Sequence, residues 1–274
     1  MDIFQAIILG IVQGLTEFLP VSSTGHLVIF EKIFGKEPSL FFDTMLHAGT
    51  LIAVIVVLWK DIWEILKKPF QKLTLFLILA TIPAVITSLV FDSSIKEIFK
   101  SAQFLGICFL ITTAFLVTAE LLSSKYSKSG NNENLLKNAE NMSWLDALII
   151  GIMQAIAIPP GISRSGATIS GGIFRKLNRD LAARFAFLMS IPAILGAVVF
   201  QTKDLFDGKT IENEITFSPI AVIIGTITAA VVGFFAVKFM LKIIREKSLY
   251  GFAIYTGVLG VFCLFDQFVT KFLF

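Results

Sequence analysis

Long apolar runs, interrupted at only a few places, set the pattern of this chain. A helix that crosses the hydrocarbon core of a bilayer needs about 20 mainly apolar residues. Six segments reach that length: about 41–59, 73–91, 104–122, 185–202, 217–237 and 250–269. Two further apolar regions, 3–30 and 145–174, are broken internally by Gly, Pro, Ser and charged residues. They read as helix, break, helix hairpins that enter the bilayer and return, because broken backbone at membrane depth survives only inside protein or against a wet cavity. The expected fold is an all-α membrane protein with six transmembrane helices plus two re-entrant hairpins.

Displacing the chain against itself by 141 positions aligns Ala6, Gly10, Ile11, Gln13, Ser22 and Gly25 with Ala147, Gly151, Ile152, Gln154, Ser163 and Gly166, without a gap. At nearly the same offset Lys60-Asp61, closing one span, matches Lys203-Asp204, closing its counterpart. Each half then holds one hairpin and three spans, and an odd number of crossings turns the second half upside down. This is an inverted-topology repeat, in which two helix breaks meet near mid-bilayer. The chain reads as one integral membrane domain over 1–274. Repeat 1 covers about 1–122, a cytoplasmic linker about 123–144 and an inverted repeat 2 about 145–274.

Composition supports a membrane environment: 55% of the 274 residues are hydrophobic and 16% charged, against roughly 25% charged in soluble domains. The formal charge of +3 is dispersed over short loops, which excludes the basic footprint of a nucleic-acid binder. Cys108 and Cys263 lie within apolar runs, where a thiol behaves as a small hydrophobe, so neither a disulfide nor a redox role is expected. The N-terminus opens with Asp2 instead of a basic cluster, and Gln13 and Glu17 interrupt its apolar run. It is therefore expected to stay on the protein.

If both hairpins are re-entrant, residues 60–72, 123–144, 175–184 and 238–249 share one face and hold 15 Lys and Arg. The opposite face holds seven: Lys32, Lys36, Lys96, Lys100, Lys203, Lys209 and Lys271. By the positive-inside rule the first face is cytoplasmic and both termini lie outside.

Chemistry concentrates in the two breaks. The first, Gln13 to His26, holds Gln13, Glu17, Pro20, Ser22, Ser23, Thr24, Gly25 and His26. Ionisable groups at membrane depth mark function. Gln13 and Glu17 are four apart and share a helix face, while Pro20 stops that helix and Ser22 to Thr24 stand where the next would start. The second break, Pro159 to Thr168, repeats the design with Gly161, Ser163, Arg164, Ser165, Gly166 and Thr168. Helix-start N–H groups, hydroxyls and a guanidinium together suit a phosphate group. Gly25, Gly161 and Gly166 let the backbone approach its oxygens or let helices pack closely. Ser22, Ser23, Thr24, Ser163 and Ser165 are all chemically eligible nucleophiles, and direct attack by water is a further route. The same hydroxyls also serve as helix caps, and Glu17 and Arg164 can pair to pin the two halves together.

Gln13-x-x-x-Glu17, the linking Pro20-Val-Ser-Ser-Thr-Gly-His26 and Pro160-Gly-x-Ser-Arg-Ser-x-x-Thr168 resemble the motifs of the undecaprenyl-diphosphate phosphatase family, and the resemblance runs the whole chain. Some members carry glutamate where this chain has Gln13, so that position is read as neutral, without a general-base or charged metal-binding role. The resemblance implies removal of the terminal phosphate from a C55 polyprenyl diphosphate on the outer face of the bacterial plasma membrane. That reaction regenerates the lipid carrier for cell-wall synthesis and is associated with bacitracin resistance. It further implies Ser23 as nucleophile, His26 as its proton-transfer partner, Arg164 as the clamp on phosphoryl charge and Glu17 as base or cation ligand.

The expected diphosphate-binding residues are Gln13, Ser22, Thr24, Gly25, Gly161, Ser163, Ser165, Gly166 and Thr168. With two His and no HxxxH or CxxC pair, a tightly held transition metal is not expected. A loosely held Mg2+ or Ca2+ bridging Glu17 and substrate oxygens is. No organic cofactor is expected, the partners are the polyprenyl diphosphate and membrane lipids, and a homodimer is compatible with this reading. Outside the breaks, His47 reads as a helix-end or packing residue, Asp43 as a helix-start cap, and Ser123 to Asn141 as a solvated loop. The competing functions are a secondary transporter or lipid flippase, which build sites from the same inverted repeats, and a non-catalytic scaffold, which leaves both breaks unexplained.

Overall fold

Asp2 and Ser143, 141 residues apart, open the two halves of the chain with the same device. The Asp2 carboxylate accepts from Gln5 N while the Gln5 side chain takes Asp2 N, and Ser143 and Asp146 exchange the same pair of bonds. Such capping boxes satisfy first-turn donors that have no acceptor inside the helix. The structure, a computed structural model, describes residues 2–36, 39–91, 95, 97–98, 102–128, 136–206 and 218–273. The readings made for Lys96, Lys100, Lys209 and residues 129–135 fall outside these.

The described residues form eleven α-helices and no strand: α1 Ile3–Thr16, α2 Ser23–Ile33, α3 Leu40–Val57, α4 Trp59–Lys67, α5 Lys72–Val90, α6 Leu105–Lys128, α7 Trp144–Ile156, α8 Arg164–Phe174, α9 Arg179–Phe206, α10 Pro219–Glu246 and α11 Tyr250–Phe265. A π turn, Asp266–Thr270, follows α11. Six of them, α3, α5, α6, α9, α10 and α11, are long and apolar enough to cross a membrane, matching the six runs read from sequence. The helices flanking the breaks hold 14, 11, 13 and 11 residues. At about 1.5 Å per residue none reaches the roughly 30 Å of a hydrocarbon core.

Three local readings are corrected. Residues 60–67, read as loop, belong with Trp59 to α4, whose mixture of Trp, Ile and charge has helical spacing without the length of a span. The segment from Ser123 is not simply solvated: 123–128 continue α6, and Lys137 bonds backbone to backbone with Lys176 and Asn178. Asp43 is not the cap of α3. Ser39 is, its side chain accepting from Phe42 N, and Asp43 lies buried in the first turn.

α1 packs on α10 and α7 packs on α5, in each case through a glycine. A Cβ at Gly10 would stand 2.5 Å from the Gly225 carbonyl oxygen, and one at Gly151 would stand 2.3 Å from that of Ala80. α3 packs against both α9 and α10, α6 pairs with α11, and α8 is enclosed by α6, α7 and α9. Phe18 and Phe187, both fully buried, meet edge to face at 5.2 Å and fix the residue after Glu17 against α9.

The four basic loops are stitched into one end of the molecule. Arg184 pairs with Asp61, Arg179 with Glu120, Arg245 with Asp180, and Lys137 and Arg175 both with Asp146. Arg179 also donates to the carbonyls of Ile244 and Lys247, and Glu120 accepts from Leu249 N. These bonds tie α4 and the ends of α6, α8 and α10 to the starts of α7, α9 and α11.

Candidate active site

Glu17 follows the last turn of α1 and is the centre of the cluster. One of its oxygens, Oε1, takes the Arg164 guanidinium. The other, Oε2, accepts from Ser23 Oγ at 2.6 Å and from Gln13 Nε2 at 2.9 Å, and lies 3.0 Å from His47 Nδ1. The Glu17 side chain is 2% exposed, while Arg164 and His47 are each 22% exposed, so the carboxylate is the floor of the site and the two cationic-capable groups form its rim. A carboxylate so deep is tolerated because donors surround it.

The two breaks interlock around this centre. Ser22 has a positive φ of 69°, a sparsely populated conformation for a non-glycine residue. Its Oγ caps α2 by accepting from Gly25 N and also accepts from Gly161 N across the break at 3.1 Å. Gly161 has φ 95°, where a side chain would be strained. Ser165 Oγ donates to the Leu19 carbonyl at 2.9 Å, and Gly25 packs against Gly161 and Phe109 with no space for a Cβ. The starts of α2 and α8 are thereby brought together, and with them two sets of first-turn N–H groups.

Of the hydroxyls named from sequence, Ser163 Oγ caps α8 by accepting from Gly166 N and stands 3.1 Å from Ser165 Oγ. Thr168 Oγ1 turns back to the Arg164 carbonyl at 2.8 Å. Thr24 stands partly exposed at the second position of α2. Ser23 alone among them donates to a carboxylate. His26 does not face Ser23: its Nδ1 is 2.7 Å from the Ser22 carbonyl and its Nε2 is 2.6 Å from the Tyr255 hydroxyl. A carbonyl only accepts, so Nδ1 carries hydrogen and, in the neutral ring, Nε2 takes the Tyr255 proton.

Sequence reasoning missed three residues. His47, read as packing or helix end, sits mid-way along α3 with Nδ1 2.7 Å from Gln13 Nε2 and beside Glu17. The signal was the spacing Asp43, His47, Thr50, a polar stripe on one face of an apolar span. Thr112, buried in α6, donates to the Gly161 carbonyl and accepts from Ser163 N, so one hydroxyl holds the second break. Tyr255 reaches His26 from α11. Each is one of two adjacent hydroxyl residues in an apolar run, Thr112-Thr113 and Tyr255-Thr256, which gives no periodic signal.

The model of the family described as bacitracin resistance protein BacA matches residues 6–262. Relatives similar to this chain include an undecaprenyl-diphosphatase of Carboxydothermus hydrogenoformans, 46% identical over 99% of this chain and 100% of its own. Undecaprenyl-diphosphatase 3 of Bacillus cereus is 44% identical with the same coverage. An undecaprenyl-diphosphatase of Halothermothrix orenii is 39% identical over 95% of this chain and 96% of its own. Six helices long and apolar enough to cross a membrane, two helix breaks that carry the site residues and full-length likeness agree, and the chain belongs to the BacA family of multi-pass membrane proteins.

Proposed function

We propose that this chain hydrolyses undecaprenyl diphosphate to undecaprenyl phosphate and inorganic phosphate, recycling the lipid carrier for peptidoglycan synthesis and conferring bacitracin resistance. The observation that carries the mechanism is the Ser23 Oγ bond to Glu17 Oε2, with Arg164 on the other carboxylate oxygen. Phosphoryl transfer needs positioning and charge stabilisation more than covalent chemistry, and a serine nucleophile needs a base within hydrogen-bond reach. Ser23 Oγ attacks the terminal phosphorus as Glu17 takes its proton. The bond from that phosphorus to the bridging oxygen breaks, and undecaprenyl phosphate leaves with the electron pair. Water then attacks the phosphoserine, releasing inorganic phosphate and restoring the serine hydroxyl.

Arg164 is first a partner of Glu17 and then of substrate. An entering diphosphate competes for the guanidinium, and as it does so Glu17 loses its counter-charge and becomes a better base for Ser23. His26 and Tyr255, adjoining through Ser22, supply a second proton-bearing pair beside the site.

The donor set also fits a hard cation. Gln13 Oε1 is buried without a hydrogen-bond partner, and the Glu17 carboxylate and Ser23 hydroxyl lie beside its amide. These oxygens would hold Mg2+ or Ca2+, which supplies charge neutralisation on the diphosphate. Among the described residues no three His, Cys, Asp or Glu gather as a metal cluster, and substrate oxygens would complete the ligand set.

The topology belongs to the same proposal. Arg175, closing α8, reaches Asp146, opening α7, which supports a second hairpin that returns to the face it entered. The pairing of α1 with α10 and of α7 with α5, each through an aligned glycine, supports an inverted repeat. With the basic face cytoplasmic, the termini and the site open to the outside. Single cysteines at Lys36 and Lys67 check this: a membrane-impermeant maleimide added outside labels the first and not the second.

The function is tested with purified protein in detergent, given a polyprenyl diphosphate with Mg2+ or Ca2+. Phosphate release supports hydrolysis. No phosphate release in detergent, with movement of labelled lipid between leaflets once the protein is reconstituted into vesicles, supports the transporter reading instead.

A further inference from the structure

α4 is a poor fit to a loop between spans. None of its residues is buried, and it touches the rest of the protein through Ile62 and Ile65, which pack on the main core, and through Asp61, which Arg184 holds. On its outward side Trp59, Trp63, Leu66 and, just beyond the helix, Phe70 are 51%, 47%, 61% and 87% exposed. The spacing of four and three places Trp59, Trp63 and Leu66 in one stripe along the helix axis, and Phe70 follows past its end. Trp59 and Trp63 stack with ring centres 5.9 Å apart, and Lys67 Nζ lies 5.2 Å from the Trp63 ring centre. Lys60, Lys67 and Lys68 flank the stripe, all exposed.

The surroundings repeat this chemistry. Lys72 stands over Phe76, Lys176 over Tyr126 and Lys238 over Phe234, at 5.7, 5.5 and 4.2 Å from the ring centres. These three lysines, like Lys67, belong to the basic end of the molecule, and so does Trp144, 61% exposed. The chain's three tryptophans are thus gathered at one end. Indole rings prefer the headgroup level of a bilayer, and lysine stems lie along apolar surface while the ammonium reaches water or phosphate.

We propose that α4 is an in-plane anchor helix that binds anionic phospholipid. Its Trp59, Trp63 and Leu66 stripe, with Phe70 past its end, sits in the headgroup and upper acyl region, and Lys60, Lys67 and Lys68 bind the lipid phosphates. The occupant is identified by charge: with Asp61 engaged by Arg184, three ammonium groups and one carboxylate, Glu64, remain to face the leaflet. An amphipathic helix with basic flanks and an indole face binds such a surface. Neither turnover nor the assigned orientation enters this inference, because depth and headgroup charge are the quantities at issue.

The test uses the full chain carrying Trp144→Phe, so that Trp59 and Trp63 are the only fluorophores of their kind, in nanodiscs of phosphatidylcholine and phosphatidylglycerol. Lipids brominated near the headgroup end of the acyl chain should quench the indoles about twofold more than lipids brominated near the chain terminus. At equal mole fraction, brominated phosphatidylglycerol should quench more than brominated phosphatidylcholine. Replacing Lys60, Lys67 and Lys68 by Gln should remove that headgroup preference and keep the depth profile. Quenching strongest from the chain terminus overturns the in-plane placement. No headgroup preference in the lysine-bearing chain overturns the anionic partner. Indoles unquenched by any lipid while the chain crosslinks to a second copy through α4 assign the stripe to a dimer contact and overturn both.

Discussion

Arg164 and Glu17, 147 residues apart in sequence, form one ion pair that closes the second helix break onto the first. The carboxylate is buried and the guanidinium only partly exposed, so the pair has two separable consequences. Arg164→Lys keeps the charge but loses the planar fork that grips two oxygens. Phosphate release should fall at least about a hundred-fold while the protein stays folded. Glu17→Ala should also abolish release and, by stranding a cation over an apolar floor, destabilise the protein by about 2–4 kcal/mol. Thermal unfolding in detergent alongside the release assay separates the two.

Tyr255 makes a different prediction. Its hydroxyl is the group bonded to His26 Nε2, and the ring planes are nearly parallel at 8°. Tyr255→Phe removes one hydrogen bond and little volume, so release should drop about ten-fold, with the melting temperature almost unmoved. An unchanged rate would place His26 outside the reaction.

Gln13 and Gln154 occupy equivalent places in the two halves and should respond in opposite directions. Gln13 bonds Glu17 and approaches His47, whereas both polar atoms of Gln154 are buried without a hydrogen-bond partner, Ile158 standing where the first half has Glu17. A buried amide left unpaired costs about 1–3 kcal/mol. Gln154→Met should therefore be neutral or stabilising by about 1 kcal/mol with activity retained, and Gln13→Met should lose most of the activity.

Asp146 links stability to pH at the basic end. Burial raises its carboxyl, but hydrogen bonds from Lys137, Ser143 and Arg175 outweigh that and hold it below the usual aspartate range. A group with a depressed folded value contributes stability above its unfolded value of about 4, lost as pH falls through the folded value. Asp146→Asn should cost about 1–3 kcal/mol at neutral pH, discounted because Lys137 and Arg175 are partly exposed. The loss should shrink in acid, where the native carboxyl is itself neutral. Unfolding midpoints across pH measure this.

Much of this arrangement is legible in the residues. Six spans follow from apolar length, and Gln13, Glu17, Ser23 and Arg164 stand out because polar groups are costly at membrane depth. Helix spacing even gives the Gln13 to Glu17 bond. What a single chain does not display is which partner each group chooses. Ser23 turns to Glu17 and His26 to Tyr255, although their spacing of three puts them on one side of α2, because the partners are brought in by other elements, Glu17 from the end of α1 and Tyr255 from α11. His47 and Thr112 enter the site from α3 and α6, elements joined to the breaks only through tertiary packing. α4 escaped notice for a further reason: its apolar stripe is too narrow for a span and its flanks resemble a loop.

The central claim is that one serine and one arginine, drawn from opposite halves, perform phosphoryl transfer. Its most direct test is phosphate release from undecaprenyl diphosphate by the purified protein, compared with Ser23→Ala and Arg164→Ala under the same conditions. Release by the unmodified protein, reduced at least about a hundred-fold in each variant with folding intact, is the predicted result. Undiminished release by both variants would contradict it.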